Sequence, residues 1–155
     1  MTSFIKFKIS FNILYYMKNL IWFLLFSLFS ITINGQNMEK HQWENRVLLI
    51  FADDVNNDLF QNQLKALISK ERDLKERKLI IYKFTKSKFS TDFNSNWESS
   101  TKLFEKYINK KDAFKILLIG LDGGIKLEQT KVLSAEKLFA IIDGMPMRKR
   151  EIRNK

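Results

Sequence analysis

Apolar positions along this chain fall into two patterns, short unbroken runs and stripes at helical spacing. The runs are RVLLIF at 46–51, LIIY at 79–82 and FKILLI at 114–119. Runs of this length suit strands buried on both faces of a sheet. The helical stripes fall between and after them. Phe60, Leu64, Leu67 and Ile68 share one face, followed by a charged stretch from Lys70 to Lys78. Trp97, Thr101, Phe104 and Ile108 form a second stripe, with Ser95 and Glu98 at capping-box spacing ahead of it. This predicts a helix from about Trp97 to Asn109. A third stripe, Ala135, Leu138, Phe139 and Ile142, follows Ser134 as a candidate N-cap and stops at Gly144 and Pro146.

Residues 85–96 are rich in Ser, Thr, Lys and Asn and read as a loop. Gly120 to Gly124 is a turn, with Asp122-Gly123 as the hairpin signal. Ile125 to Glu128 then alternates as an edge strand does. The order is strand, helix, strand, helix, strand, strand, helix. A helical crossover makes the first two strands parallel, and the hairpin makes the last two antiparallel. The expected fold is therefore α/β and thioredoxin-like, a four-stranded mixed sheet with helices on both faces.

A further apolar run, LIWFLLFSLFSITI at 20–33, carries no charge. Met17-Lys18 precede it and Asn34-Gly35-Gln36 follow. A basic start, a short apolar stretch and a small residue at the exit read as a secretory signal peptide, with cleavage expected after Gly35. At about 14 residues the run is shorter than the ~20 a spanning helix needs. An uncleaved anchor is the competing reading, since the stretch extends backwards through Ile13-Leu14-Tyr15-Tyr16. The segment from Met17 is a complete signal by itself, so Met17 is the expected start. Residues 1–35 are thus expected to be a leader, 36–151 the folded domain and 152–155 the end of a basic tail. The expected location is the periplasm or outside the cell.

Composition narrows the chemistry. With 155 residues and 45% hydrophobic content, one packed domain is within reach. The formal charge is +10, but Lys6, Lys8 and Lys18 lie in the leader, and removing these three of the 27 basic residues leaves 24 against 17 acidic ones. Nucleic-acid binding needs a clustered basic face. Only the tail, Arg148 to Lys155, concentrates positive charge, so nucleic acid is not the expected partner. Membrane contact is expected only through the signal segment or that tail.

There is no cysteine. Thiol redox catalysis, thiolate nucleophiles and Cys-ligated zinc are excluded together. The position after the first strand, where a thioredoxin carries its nucleophile, holds Asp53 to Asp58. The single histidine, His41, reads as an incidental surface residue near a frayed end, so a Ser-His-Asp set is not expected. Asp54, Asn56 and Asp58 imitate the start of an EF-hand loop. Leu59 then stands where Gly is required and Lys65 where the bidentate Glu belongs. Helix capping is the plainer reading, with a weak surface calcium site as the alternative. No catalytic residue, cofactor or metal is assigned. Asp53, Asp54, Asp122 and Gly123 stand only as weak ligand-binding candidates, at strand ends where α/β folds tend to place sites.

Trp43 with RVLLIF, IGLDGGIKL at 119–127 and IDGMPMRKRE at 142–151 together resemble a thioredoxin-like family of domains of unknown function, number 4174. The resemblance covers about residues 40–151. Leu121 departs from it, since Lys is commoner at that turn. The resemblance implies a thioredoxin-like fold and an extracellular setting like that of bacterial exported proteins and the C-terminal modules of secreted sushi-repeat proteins. It implies no established reaction. Met145 and Met147 are either core fillers beside a helix stop or part of an exposed corner that adapts to a partner. The expected function is non-catalytic binding of another protein, in the envelope or outside the cell. Its candidate contact residues are Asp143, Met145, Pro146, Met147, Arg148 and Arg150. The alternatives are an enzyme of unrecognised type using the carboxylates, or binding of anionic envelope surfaces through the basic tail.

Overall fold

The computed structural model describes residues 38–99, 104, 107–108 and 112–154. The leader, its cleavage point and the start at Met17 lie outside these residues. A short 3-10 helix, Met38–His41, leads into β1, Arg46–Ala52. Next come α1, Asp58–Ile68; α2, Glu71–Glu76; β2, Leu79–Phe84; β3, Lys88–Thr91; and β4, Glu98–Ser99. Last are β5, Phe114–Ile119; β6, Ile125–Gln129; α3, Ala135–Gly144; and α4, Pro146–Arg153.

The strands among the described residues form one six-stranded mixed sheet in the order β4-β3-β2-β1-β5-β6. β1 runs parallel to β2, with Arg46 opposite Leu79. It runs antiparallel to β5, with Val47 opposite Ile119 and Ala52 opposite Phe114. The β5–β6 hairpin is antiparallel, with an irregularity between Leu118 and Ile119. The four expected strands and their directions are all present. The expected number of strands was too low by two, because the stretch at 85–96 is not a plain loop.

That stretch turns back on β2 as β3, and Glu98–Ser99, expected as part of a helix, pairs with β3 as β4. Asp92 organises it from a positive φ of 49°. Its backbone N–H donates to the Ile81 carbonyl, and its carboxylate accepts from the Ile81 N–H. Phe89 is buried in the middle of this ribbon. A single aromatic among polar residues is a weak strand signal, and the polar surroundings hid it.

β1 is buried along its whole length, as a central strand with both faces covered must be. Its even-numbered side, Leu48, Ile50 and Ala52, packs with Phe60 and Leu67 of α1, Leu74 of α2, and Leu138 and Ile142 of α3. Its odd-numbered side, Val47, Leu49 and Phe51, packs with Tyr82, Phe84, Phe89 and Phe104. Phe51 stacks on Phe84 at 5.0 Å between ring centroids and meets Phe104 edge-on at 6.2 Å. Each such pair contributes about 0.5–1.5 kcal/mol beyond the area it buries.

Three local expectations change. The charged stretch after α1 is itself helical, because Leu74 is carried into the core from its inner face. Ile68 is 58% exposed, so the buried stripe of α1 is narrower than expected. Glu98 and Ser99 are strand rather than helix, so no capping box forms at Ser95. Most of the expected helix to Asn109 lies outside the described residues. Phe104 and Tyr107 within it are helical, and the Ile108 N–H donates to the Phe104 carbonyl at 3.0 Å.

Gln63 locks α1 to the segment before α3. Its side chain accepts from the Leu133 N–H at 2.6 Å and donates to the Leu133 carbonyl at 3.0 Å, wholly buried. Gln63→Leu leaves both backbone groups without partners. It is expected to cost about 2–4 kcal/mol in urea unfolding, against less than about 0.5 kcal/mol for the exposed Asn62→Ala.

Candidate functional site

The stretch from Asp143 to Arg150 changes direction within three residues. α3 ends at Gly144, and Met145 is extended, at φ −67° and ψ 138°. Pro146 then opens α4 at its first position, where a residue without an N–H is harmless and its fixed φ is already helical. The expected stop at Gly144 and Pro146 is thus real, but Pro146 also starts a second helix, and the basic tail is mostly that helix.

This turn drives Arg148 inward. It is 2% exposed. Its Nε donates to Asp143 at 3.2 Å, Nη1 to the Glu76 carbonyl at 3.2 Å and Nη2 to the Glu76 carboxylate at 3.1 Å. Arg77 reaches Asp143 from the other side with two hydrogen bonds, at 3.1 and 2.7 Å, and lies over the Phe139 ring. Arg46, fully buried, grips Glu151 with both terminal nitrogens at 3.2 Å and donates to the Arg77 carbonyl at 2.9 Å. Glu151 also accepts from Arg148 at 3.4 Å. Three guanidiniums and three carboxylates thus tie α4 to the start of β1 and the end of α2.

Burial pushes the Asp143 carboxyl up, but the hydrogen bonds from Arg77 and Arg148 outweigh it and hold the group below its usual range. Glu151 behaves likewise, with burial opposed chiefly by Arg46.

Beside this cluster lies a cleft of about 340 Å³. Leu121, Met145, Pro146 and Met147 give it apolar walls, and the fully buried Arg46 borders it. Gly120, Asp122 and Lys126 complete the lining. Asp122 accepts from Lys126 at 2.6 Å and from the Gly124 N–H, and both bonds lower its pKa. A Cβ on Gly120 would stand 2.5 Å from the Lys126 side chain, so glycine there lets the lysine arm cross the turn. Gly123 takes the positive φ, 78°, that closes the turn.

Trp43 borders the same corner. Its N–H donates to the Leu121 carbonyl at 2.7 Å, and its side chain is 61% exposed. Its φ is 69°, a left-handed conformation that costs about 1–2 kcal/mol for a residue with a Cβ. A strained, exposed tryptophan directs attention to this surface.

The sequence-derived candidates therefore separate. Met145, Pro146 and Met147 line the cleft, and Arg150 is exposed on α4. Arg148 and Asp143 face inward with their polar groups engaged. Asp122 and Gly123 sit at the cleft turn. Asp53 and Asp54 lie beyond the other end of β1, a seven-residue strand and so about 20 Å long. Asp53 accepts from the Asp54 N–H and the Asn57 side chain, and Asp54 from the Asn56 N–H. Asn57 is the N-cap of α1. These carboxylates shape a turn and share no cleft with Asp122. No group of three His, Asp or Glu that could hold a metal occurs among the described residues.

His41 is not the surface residue expected. It is 8% exposed, and its Nε2 lies 2.9 Å from the Tyr82 hydroxyl. Burial, then nearby Lys40, lowers its pKa. Arg46, Glu76, Arg77 and Glu151 were missed as parts of this corner. Only the i,i+3 spacing of Arg148 and Glu151 signalled any of the pairing; Arg46 and Glu151 are 105 positions apart.

The chain is thus a mixed α/β domain whose distinctive chemistry sits at the N-terminal end of its central strand. The model of the family described as Domain of unknown function (DUF4174) matches residues 37–151, and the chain belongs to that family. No curated protein matches it.

Arg148 is buried, but its carboxylate partners are part-exposed, and Asp143 and Glu151 keep Arg77 and Arg46 when it is removed. Arg148→Ala is expected to cost about 1–3 kcal/mol by chemical denaturation, from its lost charge-assisted hydrogen bonds. Both Asp143 and Glu151 have folded pKa values below their unfolded ones, so their contribution is present at neutral pH. It is lost as pH falls below the ordinary carboxylate range near 4. In the double variant Asp143→Asn, Glu151→Gln, stability should be lower at pH 7 and should fall less between pH 5 and 3, in urea titrations at each pH.

Proposed function

We propose that this is an exported, non-redox module of thioredoxin-like fold that binds another protein through the cleft at the α3–α4 corner. The observation carrying this reading is convergence. The Gly120–Gly124 turn and Met145-Pro146-Met147 come from separate stretches and line one largely apolar recess, and the exposed Trp43 is tied to that turn by its N–H bond to the Leu121 carbonyl. Half-buried thioethers reshape easily around apolar side chains, and an exposed tryptophan bonded to the same turn is the kind of residue that dominates interface energetics.

Support for the thioredoxin-like fold is the β2-β1-β5-β6 core, with one parallel pair, one hairpin and α3 after it. Export is supported by the charge-free run at 20–33 behind Lys18. Among the described residues no helix is long and apolar enough to cross a membrane. Thiol chemistry is absent because cysteine is. The reading of an enzyme built jointly on Asp53, Asp54 and Asp122 loses its support, since these groups stand at opposite ends of β1.

A second reading has its own observation. α4 exposes Lys149, Arg150 and Arg153 together with Ile152, which is 48% exposed. That outer face suits an anionic envelope surface, through charge that salt would screen.

The test is capture from the native envelope fraction with the full chain as bait, beside Met145→Gln, Met147→Gln and the remote control Leu59→Gln. One protein held by wild type and control, and reduced at least tenfold by the cleft variant, is the expected outcome. Arg148→Ala is unsuitable as a probe, because it breaks the ion cluster. Equal capture by the cleft variant, with its folding intact, would reject the cleft as the contact. Retention that depends on anionic vesicles and vanishes at high salt would favour the α4 face.

A further inference from the structure

The cleft carries a more specific chemistry than apolar recognition, an inference that rests on its reading as a protein-binding site. Arg46 is wholly buried and lines the cleft, yet its Nε finds no acceptor. A buried N–H left without an acceptor is costly, and the guanidinium's other two nitrogens, which carry its ion pair with Glu151, are already engaged. Next to it α4 begins at Met145 and Pro146 without a side-chain cap. The first amides of a helix have no intrahelical acceptor and present the positive end of the dipole. Two independent features of one recess therefore lack a hydrogen-bond acceptor, and the helix end favours one that carries negative charge.

Asp122 does not supply it. Its carboxylate is held by Lys126 and the Gly124 N–H, so that pair is electrically balanced at the outer side of the turn. The apolar walls, Leu121, Met145 and Met147, adjoin the donors directly.

We propose that the cleft captures the free C-terminus of a partner protein that ends in an apolar residue. A terminal residue carries its side chain and its carboxylate on one carbon, which matches apolar walls beside an unpaired Arg donor and an uncapped helix. An internal Asp or Glu places its carboxylate at the tip of the side chain and leaves two flanking peptide groups to be solvated. The volume, about 340 Å³, suits one or two residues rather than a docked helix.

The experiment uses the full-length protein, purified as the cell processes it, and follows amide and Arg Nε–H resonances on titration. The probes are an N-acetylated hexapeptide ending in Leu with a free carboxylate, its C-terminal amide, the same peptide with Glu placed internally, and N-acetyl-leucine. The free-carboxylate peptide is expected to shift the Arg46 Nε–H and the amides of Leu121 and Met147. It should bind at least tenfold more tightly than the amide and internal-Glu peptides. Lys126→Gln, which unbalances Asp122, should weaken it several-fold without disturbing the fold. Equal binding of amide and carboxylate peptides at these residues overturns carboxylate recognition while the cleft remains a docking site. N-acetyl-leucine binding as tightly as the peptide replaces the chain terminus with a small acid. Shifts confined to Lys149, Arg150 and Arg153 overturn the site. If no probe binds while capture still fails for the Met145→Gln, Met147→Gln variant, carboxylate capture falls and the protein-binding reading stands.

Discussion

Two guanidinium groups that have lost their water, Arg46 and Arg148, govern the arrangement of the stretch from Asp143 to Arg153. A buried cation must be paired and hydrogen-bonded or the fold does not form. Arg46 enters the core as the first residue of the central strand, and Arg148 enters it from the last helix. Both reach Glu151. Once that carboxylate is shared, α4 can lie in only one place, against the start of β1 and the end of α2. Met145, Pro146 and Met147 are then held beside Leu121, and the cleft is a consequence of the charge pairing. Apolar side chains of similar size would fill this space at no loss of stability. What an ionic cluster adds is direction, since its donors and acceptors accept few alternative registers.

The dependence explains why the sequence singled out this stretch without showing that its arginine is buried. Met-Pro-Met-Arg reads as an exposed corner because it follows a helix stop and precedes a run of basic residues. Its apolar members are indeed at the surface, the methionines half-buried and the proline exposed. Its arginine is not, because Glu76, 72 positions away, and Arg46, still further off, create a polar pocket that no local pattern records. Strands β1, β2, β5 and β6 were legible for the opposite reason: an unbroken apolar run or an alternating one after a Gly-rich turn declares itself within a few residues. β3 and β4 were not. Their pairing depends on Asp92 folding back on Ile81 and on one buried ring, Phe89, within a polar stretch. His41 was misread because burial comes from Tyr82, 41 residues on, rather than from its own neighbours.

The two ends of β1 have divergent roles. At its C-terminal end, Asp53, Asp54 and Asn57 use their side chains to close a turn and cap α1. Their acceptor oxygens are directed to backbone amides in that turn. At the N-terminal end the backbone is strained at Trp43 and a donor on Arg46 is left unpaired. Natural folds satisfy most buried polar groups and avoid positive φ on bulky residues. Strain and an unpaired donor in one region mark where local rules have yielded to some other requirement.

The methionines show how that requirement meets packing. Neither is sealed in the core as a filler would be, and neither stands free; Met145 packs against the main core cluster while also lining the cleft. A β-branched residue there would hold one shape, and a leucine would fill the space with fewer accessible rotamers. Thioethers give a wall that is apolar and deformable, set on a turn that the Arg148 pairing keeps rigid. A deformable surface on a rigid support can change shape without disturbing the ion cluster beneath it, so the apolar wall and the ionic support are built from different side chains of the same eight-residue stretch.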